Sequence, residues 1–343
     1  MNNKKRMIFT GMIVGILSVL LVIMGNPANM GICVACFIRD IAGSLGFHRA
    51  SIVQYIRPEI IGFVLGSFII SKISGEFKTV SGSSPLLRFV ISCFVMIGAL
   101  VFLGCPLRMV LRIAGGDLNA IVGLFGFAAG IFYGTKFLRK GFTLGRSYKQ
   151  KNIGGYILPL ISVGLLALII IKPSFIFISE KGPGSMFAPI MISLGAGLIV
   201  GVLSQKSRLC MVGGFRDLYL MRDFQLIIGF ISILVTVLIL NLILGNFNLS
   251  FVNQPAAHAD GLWNFLGMFL TGFGSLLLGG CPLRQTILAG QGNLDSVITF
   301  LGLIMGSAIA HNFLMVGSTA NGHIAVVIGI ISLSLIACFN IEK

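Results

Sequence analysis

Charged side chains are scarce in this sequence. Only 10% of the 343 residues are Asp, Glu, Lys or Arg, against 56% that are hydrophobic, and the mean hydropathy is +1.00. Soluble globular domains carry about 25% charged residues, so the composition excludes that class. Tryptophan occurs once, and the 10 acidic residues are outnumbered by 25 basic ones. The shortage of charge therefore predicts a protein whose solvent is the lipid bilayer.

Alternation of apolar and polar residues is also missing, which excludes a membrane β-barrel. The apolar residues instead form blocks of about 16 to 21, close to the length an α-helix needs to cross ~30 Å of hydrocarbon. We predict an all-α polytopic membrane protein with about ten spans. The predicted spans are residues 8–24, 57–73, 86–103, 119–137, 156–171, 188–203, 224–244, 262–278, 295–313 and 324–339.

Lysine and arginine cluster in alternate connections, as expected where basic loops stay in the cytoplasm. They crowd the amino terminus and the segments after the fourth and sixth spans, whereas residues 245–261 and 314–323 contain none. This pattern predicts a multi-pass protein of the cytoplasmic (inner) membrane with both termini in the cytoplasm. Residues 25–56 contain Arg39 and Arg49 yet fall on the outer side, so we interpret this apolar stretch as re-entrant. The first span is predicted to be retained, since no small-x-small cleavage pattern follows it.

The net charge of +15 mostly reflects this inside bias. No basic patch with interleaved aromatic residues occurs, so we predict no nucleic-acid partner. No Walker-type glycine loop, nucleotide site or metal cluster appears either. We therefore predict no cofactor, no bound metal and no enzymatic ATP hydrolysis.

The chain repeats itself. "CPLR" at Cys105 to Arg108 recurs 176 residues later at Cys281 to Arg284, and glycines follow at equivalent places in both copies. At an offset of 177, Cys33 falls on Cys210, and "FIRD" (37–40) falls on "GFRD" (214–217). We predict a first repeat at residues 1–145, a basic cytoplasmic linker with a connecting span at 146–187, and a second repeat plus a C-terminal span at 188–343.

Four spans and the connecting fifth separate the starts of the two copies, so the second copy enters the membrane from the opposite side. This predicts an inverted-topology repeat, in which sites form near the midplane where broken helices meet. The segments after Cys105 and Cys281 are too short to span, start with proline and end near glycine, as re-entrant half-helices do. Their cysteines would lie at helix amino termini, which favour anions.

Four cysteines recur at equivalent positions, which is hard to explain as ordinary packing. We interpret Cys33, Cys105, Cys210 and Cys281 as a substrate pathway that approaches the centre from opposite faces, an arrangement that argues against a simple disulfide. Cys33-x-x-Cys36 could also be a redox or metal pair, but Gly213 occupies the place of the second cysteine in the other copy. The role of Cys36 stays open.

Charged residues near these cysteines have two interpretations. Arg108 and Arg284 follow their cysteines by one helical turn and either attract anions or support the half-helix. Arg39 with Asp40, and Arg216 with Asp217, are predicted to be structural pairs that brace the short segments. His311, within the ninth span, is interpreted mainly as a packing residue.

Neutral thiols are weak hydrogen-bond donors with a polarizable sulfur. Such groups suit a large, weakly hydrated sulfur or selenium anion, because conduction requires sites that are favourable but weak and repeated. Phosphate or another hard oxyanion would favour arginine, hydroxyl and amide donors instead.

The stretch "GNPANMGICVACFIRD", both "CPLR" segments and the "GFRD" segment resemble the YeeE/YedE family of sulfur-transport membrane proteins. The resemblance implies two pseudo-symmetric halves and cysteines that pass thiosulfate by S–H to sulfur hydrogen bonds. By the matching motifs, it implies this pathway role for Cys105, Cys281, Cys210 and Cys33. "IRPEIIG" (56–62) is similar to the YedE branch linked to selenium metabolism, also called FdhT.

We therefore predict a transporter for a small sulfur- or selenium-containing anion, with a cytoplasmic sulfurtransferase-like protein as a candidate partner. One alternative is a membrane sulfurtransferase-like protein in which Cys105 or Cys281 carries a persulfide to a soluble partner. That transfer needs a reactive thiolate, whereas conduction needs only a neutral donor. The other alternative is a structural membrane subunit, in which the paired cysteines would be expendable.

Overall fold

The computed structural model describes residues 3–341, and nearly all of its regular structure is helical. Within that range the helices are α1 (Asn3–Ile23), α2 (Val34–Ser44), α3 (Pro58–Ile73), α4 (Pro85–Val101), α5 (Pro106–Ala114), α6 (Leu118–Arg139), α7 (Ile157–Ile171), α8 (Ile190–Ser207), α9 (Met211–Met221), α10 (Gln225–Ile243), α11 (Gly261–Leu277), α12 (Pro282–Gly290), α13 (Leu294–Asn312) and α14 (Ala320–Phe339). The two-residue strands β1 (Val80–Ser81) and β2 (Tyr148–Lys149) pair antiparallel, Val80 opposite Lys149, and 3₁₀ turns cover Asn152–Tyr156 and Pro183–Ser185.

The ten predicted spans correspond to the ten long helices. Over the described residues, nine helical stretches are long and apolar enough to cross a membrane. The tenth is α3, whose 16 residues extend about 24 Å at the helical rise per residue. Large apolar side chains remain exposed on the outer helices, including Leu160 on α7 and Phe339 on α14. The predicted class, an all-α polytopic membrane protein, is confirmed.

Helix lengths follow the same order twice. Each copy runs long, short, long, long, short, long, first in α1 to α6 and then in α8 to α13, with α7 following the first copy and α14 the second. Five long helices, an odd number, separate the start of α1 from the start of α8. The second copy therefore begins on the opposite side of the bilayer.

The two copies interlock through their long helices. The most extensive contacts are α3 with α8 and its repeat equivalent α1 with α10, and α6 with α11 and its equivalent α4 with α13. The short helices also reach across, because α5 packs on α10, α12 on α3, α2 on α13 and α9 on α6. The main interface thus lies between the copies. The last helix of each set departs from this symmetry, since α7 packs on α3 whereas α14 packs on α4 and α11.

Glycines hold the interlocked helices close together. A Cβ atom at Gly130 on α6 would overlap the backbone of Phe269 on α11. At the repeat-equivalent contact, a Cβ atom at Gly306 on α13 would overlap the backbone of Cys93 on α4. Small residues allow this close approach between membrane helices. The recurrence of these glycines in the sequence therefore has a packing cause.

Valine at Gly130 or at Gly306 is expected to destabilise the fold, by roughly 1–3 kcal/mol, because each forces two backbones apart. The apparent melting temperature of the purified protein in detergent should fall by several degrees for both variants. Gly164→Val on α7 is the control, since no neighbouring atom lies within 4 Å of a Cβ atom there. Unchanged melting of both interface variants would contradict the proposed packing role.

Candidate functional site

The four predicted cysteines occupy the same structural position. Cys33, Cys105, Cys210 and Cys281 are the N-cap residues of the short helices α2, α5, α9 and α12, all with extended backbone. Pro106 and Pro282 start α5 and α12, where a missing N–H costs nothing. The four cysteines are between 0% and 7% exposed and carry free thiols. Each sulfur therefore lies at the positive end of a helix, inside the protein.

The first thiol pair joins two short helices of the first copy. The sulfur atoms of Cys33 and Cys105 are 3.9 Å apart. The backbone N–H of Cys36 donates to the Cys33 sulfur at 3.3 Å, and the backbone amides of Ala35 and Arg108 interact with the Cys105 sulfur. Free N–H groups of both α2 and α5 thus converge on one pair of sulfurs.

The second thiol pair repeats this arrangement in the second copy. The thiols of Cys210 and Cys281 are neighbours that interact with each other. The backbone N–H of Gly213 donates to the Cys210 sulfur at 3.3 Å, and the amides of Met211 and Arg284 interact with the Cys281 sulfur. The sequence repeat aligned these cysteines between copies, but it did not predict that the two cysteines of one copy lie together.

Cys36 breaks the equivalence of the two pairs. Its thiol lies 3.5 Å from Nη1 of Arg108 and 3.9 Å from the carbonyl oxygen of Leu103. A Cβ atom at Gly213, the equivalent position, would meet Leu226 at 2.9 Å. The first copy therefore has a third thiol beside its pair, whereas in the second copy the Leu226 side chain would have to shift to admit one.

Arg108 is a buried cation that backbone carbonyls hold in place. It is 1% exposed and donates to the carbonyl oxygens of Asn29, Leu103 and Ala256. All three of these residues have positive φ, between 50° and 62°, which is uncommon for residues other than glycine. The guanidinium therefore links three left-handed turns from three different connections of the chain.

Arg284 is in a different environment from Arg108. Within the described residues its side chain makes one hydrogen bond, from Nη1 to Oε1 of Gln205 at 3.4 Å. The half-buried guanidinium faces a cavity of about 350 Å³, which we call the Arg cavity. This cavity is lined by Gly75, Glu76, Lys78, Gln205, Arg208, Arg284, Leu288 and Gln291. The two equivalent arginines thus differ in their surroundings, since backbone carbonyls surround Arg108 whereas Arg284 faces a cavity.

A second cavity, of about 220 Å³, lies at the corresponding place in the first copy, beside α5 and the connection after α10. We call it the Asn cavity, because amide side chains dominate its polar lining. These are Asn29, Asn241, Asn246, Asn248, Asn253 and Gln254. No Lys, Arg, Asp or Glu is among the described residues that line it. The two cavities therefore differ in charge.

Both predicted arginine–aspartate neighbours form ion pairs. Arg39 lies 2.7 Å from Asp40 in the interior, and Arg216 lies 2.8 Å from Asp217 with its side chain 36% exposed. Sequence reasoning missed Arg57, which contacts the other oxygen of Asp40 at 2.8 Å and also donates to the carbonyls of Pro183 and Met186. Asp40 therefore ties α2 to the start of α3, consistent with a bracing role.

Sequence reasoning also missed a buried pair next to the first thiols. Arg112 lies 2.7 Å from Asp117, donates to the carbonyl of Phe102 and stacks over the Phe102 ring. The available signal was Asp117 itself, an N-cap residue directly before α6. This pair fixes the turn between α5 and α6.

His311 packs against another histidine. Its ring stacks on the His48 ring with centroids 4.3 Å apart, and His48 Nε2 lies 3.0 Å from the carbonyl oxygen of Arg39. Among the residues that the structure describes, no group of three or more His, Cys, Asp or Glu is arranged to hold a metal ion. Cys33 and Cys36 therefore belong to no such group in that part of the chain.

Fold and site together define a polytopic α-helical membrane protein with two buried pairs of free thiols at helix amino termini. The family described as sulphur transport matches residues 206–334, a stretch that contains the second thiol pair. The chain is 26% identical over 125 residues to the thiosulfate transporter TsuA of Escherichia coli (strain K12), covering 36% of this chain and 35% of that protein. It is 31% identical over 103 residues to the thiosulfate transporter TsuA of Spirochaeta thermophila, covering 30% and 31%.

The matched part of the chain spans about a third of the length of these curated relatives. The resemblance to the YeeE/YedE family of sulfur-transport membrane proteins is confirmed by these similarities.

Proposed function

We propose that this protein carries a small sulfur- or selenium-containing anion, thiosulfate or a related species, across the cytoplasmic membrane. The observation that carries the proposal is the repeated thiol pair, in which Cys33 with Cys105 and Cys210 with Cys281 meet at the amino termini of paired short helices. Both matched relatives are named thiosulfate transporters, which supports a transport role rather than an enzymatic one.

The chemistry of the pairs suits a soft anion. Helix amino termini offer partial positive charge and free N–H groups, so they favour an anion without a fixed countercharge. Neutral thiols add weak donors and polarizable sulfur, which contact the soft end of thiosulfate or a selenium analogue. Two such thiol pairs provide the weak and repeated binding that conduction requires.

The proposed topology gives the two thiol pairs opposite orientations in the membrane. We propose residues 1–145 and 188–343 as the two inverted copies, joined by the basic segment and α7 at residues 146–187. With both termini in the cytoplasm, the Arg cavity faces the cytoplasm and the Asn cavity faces outward. The first thiol pair then belongs to the outer half of the pathway and the second pair to the inner half.

Import of an anion opposes an inside-negative membrane potential. One elementary charge costs about 2.3 kcal/mol per 100 mV, so a dianion costs about twice that. A cytoplasmic sulfurtransferase-like partner that consumes the anion would keep its inner concentration low and draw transport inward. This energetic demand supports including such a partner in the proposal.

Uptake of radiolabelled thiosulfate into proteoliposomes tests the proposed function. The protein is expected to raise uptake well above that of empty liposomes, with unlabelled selenium oxyanions competing and phosphate competing poorly, because the thiols favour soft anions. Mass spectrometry of the protein after exposure to thiosulfate tests the rival persulfide relay. Uptake equal to that of empty liposomes would contradict transport, and a persulfide on Cys105 or Cys281 together with absent uptake would favour the relay.

A further inference from the structure

We infer that the Arg cavity is an anion-binding subsite next to the second thiol pair, with Arg284 as its central ligand. It takes the oxygen end of a small oxyanion while Cys210 and Cys281 face the sulfur or selenium end. The identity of this anion rests on the proposed function, whereas the existence of the subsite rests on the cavity itself.

The first argument is that the guanidinium of Arg284 has N–H donors available for a ligand. A guanidinium carries five N–H donors, and among the residues that the structure describes Arg284 donates one side-chain hydrogen bond, at 3.4 Å to Gln205. Its repeat equivalent Arg108 donates to three carbonyls and contacts the thiol of Cys36. The second copy therefore presents to a cavity the group that the first copy uses as a structural tie.

The second argument is the position of Arg284 relative to the thiols. It follows Cys281 by three residues, which is about 4.5 Å along a helix axis. Its backbone amide interacts with the Cys281 sulfur, and its charge acts on both Cys210 and Cys281. An anion between the side chain and the sulfurs would therefore contact a hard cationic donor on one side and soft thiols on the other.

The third argument is the charge of the cavity. Lys78, Arg208 and Arg284 line it, and Glu76 is the single acidic residue among the lining residues that the structure describes. An adjoining cavity of about 350 Å³ shares Arg208 and Glu76 and adds Arg6 and Lys206. Carboxylate and sulfonate-like oxygens pair best with arginine, which can donate two parallel hydrogen bonds.

Glu76 and Gln205 hold Arg284 ready for a ligand. Nε2 of Gln205 donates to Oε2 of Glu76 at 3.0 Å while Oε1 of the same amide accepts from Arg284. Nε2 of Gln291 in turn donates to the backbone carbonyl of Glu76 at 2.9 Å. One amide thus separates the acid from the base, so no direct ion pair has to break when an anion binds to Arg284.

The Asn cavity provides the internal comparison. It occupies the corresponding place in the first copy, but neutral amides line it. The two ends of the pathway are therefore chemically unequal, with neutral entry at one end and cationic capture at the other. Under the proposed orientation, capture lies on the side where a soluble partner would take the anion.

Isothermal titration calorimetry of the whole chain in detergent at low salt tests the subsite by measuring the affinities for thiosulfate and sulfate. The unmodified protein is expected to bind both, and thiosulfate more tightly, because sulfate offers only the oxygen end. Arg284→Gln should weaken both ligands at least tenfold, and Arg284→Lys should recover part of the loss. Cys281→Ala should reduce the preference for thiosulfate and leave sulfate binding within about twofold.

Arg222→Gln is the matched control, because Arg222 is exposed at the end of α9 and lies outside both basic cavities. If Arg284→Gln fails to fold, Arg208→Gln and Lys78→Gln carry the test, since both side chains are exposed and each should weaken binding two- to fivefold. Unchanged sulfate affinity in these variants, or no binding by the unmodified protein, would overturn the subsite. Normal binding in detergent without uptake into proteoliposomes would instead contradict the proposed function and leave the subsite standing.

Discussion

Alanine at Cys105 or at Cys281 is expected to reduce thiosulfate uptake into proteoliposomes about tenfold. Each substitution removes one of the two thiols of a pair and leaves the anion a single soft contact at that pair. Loss of one hydrogen bond to a charged partner is worth about 1.5 kcal/mol or more, which corresponds to about a tenfold change in rate. The measurement is the initial uptake rate at matched protein density.

Cys93→Ala is the matched control for these variants. Cys93 is also a buried free thiol, but it lies on α4 away from the short-helix amino termini. Its uptake should stay within twofold of the unmodified protein. Serine variants separate donor strength from softness, because a hydroxyl donates but its oxygen is less polarizable; we expect Cys281→Ser to recover little. Full uptake by the single alanine variants of all four pathway cysteines, Cys33, Cys105, Cys210 and Cys281, would exclude the thiol pathway.

Glutamine at Arg108 is expected to cost roughly 3–5 kcal/mol of stability. The side chain holds the carbonyls of Asn29, Leu103 and Ala256, and hydrogen bonds to a charged donor contribute about 1.5–3 kcal/mol each. Glutamine can satisfy at most part of this set and leaves buried acceptors without partners. The apparent melting temperature in detergent, and the monodisperse fraction on size exclusion, should both fall.

The matched control for Arg108→Gln is Arg284→Gln at the repeat-equivalent position. It loses one weak contact and should change stability by less than about 1 kcal/mol. The same chemical change thus separates an arginine with structural contacts from the one proposed to bind a ligand. Equal melting of the two variants would show that the three left-handed turns do not depend on Arg108.

Much of the fold follows from local patterns in the sequence. Apolar blocks located the ten long helices, and Pro106 and Pro282 marked the starts of two short ones, because these signals depend on neighbouring residues alone. The recurring glycines could also be found, since Gly130 and Gly306 make the same close approach in both copies. The internal sequence repeat therefore predicted the arrangement of the helices in two equivalent sets.

The site was less predictable, because its contacts join distant segments. Arg108 and Arg284 occupy the same motif, yet their partners come from non-equivalent places, Ala256 in the connection after α10 for one and Gln205 on α8 for the other. One sequence signal did distinguish them: the left-handed position before the motif is Leu103 in the first copy and Gly279 in the second. Glycine adopts that conformation without help, whereas leucine benefits from the tie that Arg108 makes to its carbonyl.

The interlocked packing of the copies restricts the mechanisms by which the proposed transport could occur. In a rocking carrier, one repeat rotates as a rigid body against the other to expose its site to each side in turn. Here α3 packs on α8, α1 on α10, α6 on α11 and α4 on α13, so such a rotation would break every major long-helix contact at once. For the proposed transport, the scaffold therefore favours a fixed frame, in which thiol and arginine side chains at the short helices would control access.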